Sequence, residues 1–319
     1  MSGTLEWGGP LRRRRWPQRL LLLLLAASVM AAVFAWRYTL VELTGFRFSG
    51  AAISDGRGVF GLADYRVKHQ AQVIAGIGND LSGITHDADN DRLLAITNAG
   101  PVQVLALDRQ GRLLGLYPLI GFEDPEDLAW LGDGLLLIVE ERVQRLNVVR
   151  LPAHPAPIRR DQARQLTLGL ALSDDNKGFE GAAYDHRRDL LYVAKERDAQ
   201  QLYRISGLRP TLAGNLQLDI RDLSDWVDAA GVSKDLSAIT VEPDSGHLLL
   251  LSDESQVVFE LGSDGALLDR RSLRAPTSRS RKAWCWIAAA SCLSSASPTS
   301  SIASCGNSAA PCNNLVIRV

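Results

Sequence analysis

The sequence predicts an all-β fold, a five-bladed β-propeller with a six-bladed ring as the alternative, because one hairpin pattern recurs along the chain. Each copy holds a short apolar run, a polar turn, and a longer apolar run that ends in an acid or an amide. The copies begin at the anchor residues Ser82, Glu126, Glu180 and Ser237, which are 44 to 57 residues apart. Repeats of this length fit propeller blades better than leucine-rich or helical solenoids.

The apolar runs predict strands, and the segments between them predict tight turns. The turns are rich in Asp, Asn and Gly, because Asp and Asn side chains bond their own backbone and Gly accepts a positive φ. They are residues 87–91, 131–134, 185–189 and 243–246. The second strand of each hairpin is apolar on both faces, so we expect it to be buried on both sides.

Further strands complete the unit to the four strands of a propeller blade. The predicted third strands are residues 102–107, 144–149, 201–205 and 257–261. Outer strands are predicted at residues 113–118 and 267–273. Residues 219–230 are expected to form a short inserted helix whose acids face the solvent.

The N-terminal segment predicts a membrane anchor. Residues 1–19 are a basic cytoplasmic segment with five arginines, and residues 20–36 form an uninterrupted apolar stretch of 17 residues. A helix of this length spans about 25 Å, near the lower limit for a bilayer core. Basic residues hold the preceding segment in the cytoplasm, so we expect a single-pass inner-membrane signal-anchor with the propeller on the periplasmic side. A signal peptide cleaved before Trp36 is the alternative.

The remaining in-frame chain divides into a stalk at residues 37–64 and the blades at residues 65–274. The net charge is −1, so the body carries no electrostatic footprint for nucleic acid. The expected partners are therefore the membrane, through the N-terminal helix, and an envelope protein or a small ligand.

The composition changes abruptly at about residue 275, and residues 275–319 form an aberrant tail. All four cysteines lie in this tail among Ser and Ala, and the strand periodicity disappears. Three interpretations are a disulfide cluster of an exported protein, a disordered Ser/Ala tail, and a shifted reading frame.

The residues themselves favour the shifted frame. When the last base of each codon is joined to the first two bases of the next, the genetic code forces three residues. Trp284-Cys285 forces Val, Cys285-Trp286 forces Leu, and Trp286-Ile287 forces Asp. With allowed codon choices, residues 281–304 then read A-E-G-V-V-L-D, a turn, and G-E-L-F-V-V-S-E-P-N-L-F-Y-R-F. This string repeats the hairpin pattern of the chain.

The tail therefore predicts a disrupted last blade. A propeller closes when its last blade takes a strand from near the N-terminus, which we expect within residues 65–75. Without the fifth blade the ring has two open edges, and exposed strand edges invite aggregation. We expect the chain as written to fold poorly or to be degraded.

Several of these motifs resemble the SdiA-regulated, YjiK-like family. They are residues 81–85, the anchor at residues 178–182, residues 195–197, and the frame-shifted strings A-E-G-V and V-S-E-P-N-x-F-Y-R-F. The resemblance covers about residues 65–274 in frame and implies an exported, N-terminally anchored, five-bladed propeller. It implies no settled reaction, and the tail departs from the family pattern where the closing blade should stand.

Acids and polar side chains are expected to ring one mouth of the central channel, where the innermost strands begin. The candidate ligand-binding residues are Ser82, Asn98, Glu126, Asp127, Glu141, Glu180, Glu196, Ser237, Asp253 and Glu254, with Glu140 adjacent. Carboxylates gathered there repel each other unless a cation or a basic partner neutralises them. Ca²⁺ suits such oxygen-rich sites, and Glu126 and Glu180 are its candidate ligands. The structural interpretation, which the residue types favour over ligand binding, is that these acids bond backbone amides or the nearby Arg142 and Arg197 and hold the blades together.

Two functions follow as hypotheses. The first is a binding or scaffold propeller with no established reaction, which uses the mouth for a ligand or an envelope partner. The second is a Ca²⁺-dependent hydrolase of lactones or esters, by analogy with lactonase-type propellers. The chain has no Gly-x-Ser-x-Gly elbow and no phosphate-binding loop, so no catalytic residue is assigned. Asp87, Asp89 and Asp91 have only the first spacings of a calcium loop and predict a hairpin turn instead.

Overall fold

The computed structural model describes residues 28–30, 62, 66–70, 74, 77, 81–141, 143–168, 178–196, 200–273 and 314–317. The chain divides into two units, Met1–Gly50 and Ala51–Val319. In the first unit, residues 28–30 are helical and exposed. Within the described part of the chain, no helix is both long and apolar enough to cross a membrane. The predicted anchor at residues 20–36 lies outside the described residues except for residues 28–30.

The second unit is built from consecutive antiparallel sheets that follow a first strand, β1 (Arg66–Gln70). Blade 1 contains β2 (Leu81–Asp87), β3 (Arg92–Thr97), β4 (Gln103–Leu107) and β5 (Leu113–Ile120). Blade 2 contains β6 (Pro125–Gly132), β7 (Leu135–Glu140), β8 (Arg145–Arg150) and, after the short β9 (Ile158–Arg159) and a 3₁₀ helix (Arg160–Gln162), β10 (Arg164–Thr167). Strand β9 leaves blade 2 and pairs in parallel with β5 of blade 1.

Blades 3 and 4 repeat the same order of four strands. Blade 3 contains β11 (Phe179–Asp185), β12 (Leu190–Lys195), β13 (Gln201–Ser206) and β14 (Asp219–Asp222), with α1 (Leu208–Leu212) before the last strand. Helix α2 (Ser224–Ala230) leads to blade 4, which contains β15 (Ala238–Val241), β16 (Leu248–Ser252), β17 (Val257–Leu261) and β18 (Leu267–Ser272). The four sheets form a β-propeller arrangement, as the sequence predicts.

The first strand of each blade is the innermost, and these strands pack side by side. Strand β6 contacts both β2 and β11, and β11 also contacts β15. The beginnings of these four strands therefore lie close to one another at one end of the propeller. The hairpin that joins the second strand of a blade to the third lies at this same end.

Apolar clusters between neighbouring blades form the core. Blades 1 and 2 share one cluster, and blades 2 and 3 share another. In β3, Leu94 and Ile96 face blade 2, whereas Leu93 and Ala95 join the cluster of the opposite face, which also contains residues of blade 4. All four side chains are at most 2% exposed. The expectation that the second strands are buried on both faces is confirmed.

The polar turns at the opposite end of the blades are held by the acid that ends the innermost strand. Asp87 Oδ1 accepts the backbone N–H of Asn90 at 3.2 Å, and Asp185 Oδ1 accepts that of Arg187 at 2.9 Å. Blade 2 instead has a two-residue turn whose central residues both have positive φ, as tight hairpins require. The turn interpretation of residues 87–91 is confirmed.

Two sequence predictions need correction or stay open. The predicted helix at residues 219–230 is wrong in its first half, because Asp219–Asp222 form β14 as an edge strand and only Ser224–Ala230 are helical.

Four blades are present in the described residues, and no fifth four-stranded blade is found among them. Of the predicted closing region, β1 pairs in parallel with β19 (Asn314–Ile317) as a two-stranded sheet. The rest of residues 274–319 lies outside the described residues.

Candidate functional site

A β-bulge places each anchor residue at the beginning of its innermost strand. In β2, Leu81 and Gly83 pair with successive residues of β3, so Ser82 is the extra residue. Glu126 and Glu180 occupy the same position in β6 and β11. In blade 4, the backbone N–H of Ser237 donates to the Leu251 carbonyl, although Leu251 already pairs with the next residue. Bulges change the direction of a side chain and are common beside binding sites.

Glycine next to two of the anchors allows the inner strands to approach closely. A β-carbon at Gly83 would lie 2.7 Å from the Cα of Asp127, in the neighbouring blade. A β-carbon at Gly181 would lie 3.1 Å from the backbone nitrogen of Ile239. The dipeptides Ser82-Gly83 and Glu180-Gly181 are thus a sequence signal for the bulged anchors, which sequence analysis did not use.

The main feature of the mouth is a run of carboxylates on blades 2 and 3. Asp124, Glu126 and Glu141 can each offer one oxygen such that these atoms lie within 4.8 Å of one another. Glu141, Glu180 and Glu196 form a second triad with the same property. Glu126, Glu141 and Glu180 are at most 4% exposed. Glu141 belongs to both triads and links them. We call this run the carboxylate mouth.

Three of the predicted site residues meet at Glu126. The Ser82 hydroxyl donates to Glu126 Oε2 at 2.6 Å, and the Asn98 amide donates to Glu126 Oε1 at 2.9 Å. Blade 1 therefore fixes the carboxylate of blade 2.

Glu141 is fixed by blade 3. The backbone N–H of Gly178 donates to Glu141 Oε1 at 3.1 Å. The side chain of Glu141 therefore crosses from the end of blade 2 to the beginning of the innermost strand of blade 3. This contact brings Glu141 to Glu180, which directly follows β11's first residue.

The blade 4 residues of the predicted ring are held differently, by an acid that sequence analysis missed. Asp235 is fully buried and accepts the hydroxyl of Ser237 at 2.5 Å and the backbone N–H groups of Asp253 and Glu254 at 3.1 and 3.0 Å. It also accepts the Ser252 hydroxyl. Ser237 is therefore part of a structural network, and Glu254 is exposed. Only the proximity of the two turns in space reveals this role.

Asp127 lies between the blades and is held by two backbone donors. Its Oδ2 accepts the N–H of Ala182 at 2.7 Å, and its Oδ1 accepts the N–H of Leu128 at 2.8 Å. Burial raises the pKa of Asp127 well above its usual range, and the charge of Glu126 adds to the rise, whereas the two N–H donors lower the pKa. Asp127 therefore joins blade 2 to blade 3 beside the carboxylate mouth.

Glu140, which adjoins the predicted ring in sequence, belongs to another cluster. It is fully buried and accepts hydrogen bonds from the Asn147 amide at 2.9 Å and from Arg160 at 3.3 Å. Arg145 lies 3.5 Å away. Glu140 thus fixes the connection between β8 and β10 within blade 2. Arg142 and Arg197, the predicted structural partners of the acids, lie outside the described residues.

The oxygen-rich triads fit a hard cation or an organic ammonium group. Ca²⁺ takes carboxylate oxygens in flexible geometries, and Glu126, Glu141 and Glu180 could supply them. The sequence-predicted Ca²⁺ ligands Glu126 and Glu180 fall in different triads, and Glu141 connects them.

Comparison with solved structures finds distant similarity. A nidogen/laminin complex gives a TM-score of 0.40 at 13% identity over 60% of this chain and 64% of that chain. Hydrazine synthase of Kuenenia stuttgartiensis gives a TM-score of 0.40 at 15% identity over 67% of this chain and 54% of that chain. The chain thus spans less than two thirds of the length of either relative.

Comparison with family models finds a match that covers most of the chain. The model described as SdiA-regulated matches residues 59–282, which include all four blades. The match agrees with the motif resemblance at residues 81–85 and 178–182. The chain belongs to the SdiA-regulated family.

Proposed function

We propose that this chain is an exported binding protein, anchored in the inner membrane, whose propeller holds a positively charged group at the carboxylate mouth. The group belongs to a small ligand or to an envelope partner. The observation that carries the proposal is the pair of carboxylate triads that share Glu141. The SdiA-regulated family and the propeller arrangement support a protein of this kind without naming a reaction.

Electrostatics favours a cation at this position. Carboxylates that share a site repel each other, and burial adds to the cost of their charges. The three most buried acids of the mouth are Glu126, Glu141 and Glu180. Contacts from Ser82, Asn98 and Gly178 fix two of these carboxylates before a ligand arrives. Such preorganisation reduces the ordering cost of binding.

A Ca²⁺-dependent hydrolase of lactones or esters is the second candidate, and the triads favour it because they fit Ca²⁺. A hydrolase also needs a base or a metal-activated water. Three histidines lie in or beside the inner hairpins. His86 pairs with Asp91 at 3.2 Å, His247 pairs with Glu260 at 2.9 Å, and His186 is exposed in the turn between β11 and β12. Among the described residues, none of the histidines lies in the carboxylate mouth. Binding is therefore the function we propose first.

A melting experiment separates the candidates. The thermal midpoint is measured for the full chain and for a frame-restored counterpart with EDTA, with Ca²⁺ and with methylammonium. Glu126→Gln and Glu180→Gln are expected to remove the stabilisation by the cation, whereas the exposed Asp228→Asn keeps it. An unchanged response in both Gln variants would exclude these ligands.

A generic ester assay with and without Ca²⁺ completes the test. Binding without turnover supports the binding protein, and Ca²⁺-dependent turnover that is lost in Glu126→Gln supports the hydrolase. Absence of both a cation response and turnover would overturn both candidates.

We also propose the anchored topology and a ring of five blades in the frame-restored chain. The basic residues before the apolar stretch at residues 20–36 support the anchor, and the recurring hairpin in the shifted frame supports the fifth blade. Protease treatment of spheroplasts is expected to digest the blades while the protein stays in the membrane fraction. Protection of the blades, or their release without protease, would contradict the topology.

A further inference from the structure

Lys195 ends the second strand of blade 3 and is only 3% exposed. Leu191 and Val193 of the same strand pack in the cluster between blades 2 and 3. Alternation along the strand therefore turns Lys195 toward blade 2. Among the residues that the structure describes, none accepts a hydrogen bond from its ammonium or forms an ion pair with it.

A buried glutamine oxygen without a hydrogen-bond partner lies beside Lys195 in the sheet. Gln201 is the register partner of Lys195 across the β12–β13 pair, so the two side chains stand on one face of blade 3. Gln201 Oε1 is buried and has no hydrogen-bond partner. The Lys195 ammonium and the buried Gln201 oxygen are therefore neighbours on one face of the sheet that are not bonded to each other.

Blade 2 contributes a second such oxygen next to Glu141. The backbone N–H of Gln144 donates to the Glu141 carbonyl at 3.0 Å, within the hairpin that follows β7. Gln144 is 3% exposed, and its Oε1 is buried without a partner. Buried polar atoms in folded proteins nearly always have a partner, so groups left in this state indicate a missing ligand or water.

These four residues lie on neighbouring elements at the mouth end of the interface between blades 2 and 3. Glu141 contacts Gly178 of blade 3, and Gly178 directly precedes Phe179, which pairs with Lys195 in the sheet. The interface thus combines carboxylates, two amide oxygens and one ammonium. Carboxylates and amide oxygens accept hydrogen bonds from a cationic amine, whereas Lys195 donates only.

We propose that the carboxylate mouth binds a zwitterionic ligand group, an ammonium and a carboxylate a few bonds apart, as in an amino acid. The ligand ammonium donates to Glu141, Gln144 and Gln201, and the ligand carboxylate accepts from Lys195. The proposal rests on the proposed function and narrows it from a cationic group to a zwitterion. Lys195 also disfavours a bare divalent ion in the triad that contains Glu180, because like charges repel.

The test compares three probes by titration calorimetry on the full chain and on its frame-restored counterpart. Glycine carries both charges, methylammonium carries only the positive charge, and acetate carries only the negative charge. Glycine is expected to bind at least about tenfold more tightly than methylammonium, which corresponds to one further charge-assisted contact. β-Alanine and 4-aminobutyrate vary the spacing between the two charges.

Lys195→Met identifies the group that recognises the anion. This variant is expected to bind methylammonium at least as tightly as the wild type does, because a like charge is removed, and to lose the tenfold advantage of zwitterions. Lys234→Met, at an exposed lysine, is the control variant and is expected to keep the advantage of zwitterions. Should Lys195→Met fail to fold, Gln201→Leu serves as a second variant. It is expected to weaken the binding of both glycine and methylammonium.

The outcomes separate this inference from the proposed function. Equal affinity of every zwitterion and methylammonium, or an advantage that survives Lys195→Met, overturns the zwitterion proposal and leaves the cation site standing, with water as the partner of the buried polar atoms. Failure of methylammonium, Ca²⁺ and zwitterions alike to bind overturns the proposed function itself.

Discussion

Gly178 and Glu141 are in direct contact across the interface between blades 2 and 3. The Gly178 N–H donates to Glu141 Oε1 at 3.1 Å, and a β-carbon at position 178 would lie 2.1 Å from the Glu141 carbonyl oxygen. No side chain fits into this space. The contact holds the acid that both carboxylate triads share, so packing and the candidate site depend on the same glycine.

Gly178→Ala is expected to destabilise the protein by about 3 kcal/mol, because the new methyl group forces the two blades apart. The free energy of unfolding is measured by urea denaturation. Gly100→Ala is the matched control, since a β-carbon at position 100 meets nothing within 4 Å. Equal stability of the two variants would show that the blades do not approach as described.

Asp235→Ala is expected to cost about 3 kcal/mol or more, because it removes an acceptor shared by two hydroxyls and two backbone N–H groups of blade 4. Asp264→Ala removes an acid that accepts one exposed N–H in a turn, and its cost should stay within about 0.5 kcal/mol. Thermal midpoints of both variants check the difference. A small effect at Asp235 would contradict the structural role assigned to blade 4.

Asp127 is expected to make stability depend on pH. Its pKa in the fold lies well above the unfolded value of 3.8 because of burial. Between these two pKa values the folded state binds more protons than the unfolded state, so this group's contribution to stability falls as pH rises through that window. Above the folded pKa, Asp127 is charged in both states, and the full free-energy cost of burying its charge remains.

Asp127→Asn removes this titration. Urea midpoints of the wild type and of the variant are measured from about pH 4 to about pH 8, a range that starts near the usual carboxyl pKa. The stability of the wild type relative to Asp127→Asn should decrease with rising pH. A constant or increasing difference would show that Asp127 is charged at little cost in the fold.

Restoring the reading frame after about residue 275 is expected to raise the soluble yield and the thermal midpoint. The physical reason is that a complete fifth blade covers two open sheet edges. The chain as written and the frame-restored chain are expressed side by side. Equal yield and equal melting would refute the predicted defect.

The hairpins could be predicted from sequence because continuous apolar runs alternate with turn residues. Among the predicted third strands, the one at residues 257–261 has the predicted bounds. Each of the other three differs from its prediction by one residue, at one end or at both. The outer strands β10 and β14 were missed because their residues are mostly exposed and carry no apolar pattern. Edge strands of this kind leave little signal in a sequence.

The site was predicted in part. The anchors Ser82, Glu126 and Glu180 begin inner strands as expected, since their position follows from the repeat. Their bulges, and the role of Asp235, depend on contacts between segments far apart in sequence. Lys195 ends a strand, where a lysine is usually solvated, so only the packing of blade 2 against blade 3 reveals its burial.

The most direct measurement is a calorimetric titration of Ca²⁺ and methylammonium into the wild type and Glu141→Gln. Gln can still accept the Gly178 N–H, so the variant keeps the fold and loses one charge from both triads. We expect saturable binding of at least one of the cations to the wild type and an affinity lower by about tenfold or more in Glu141→Gln. Absence of binding to the wild type, or unchanged affinity in the variant, would contradict a cation site at the carboxylate mouth.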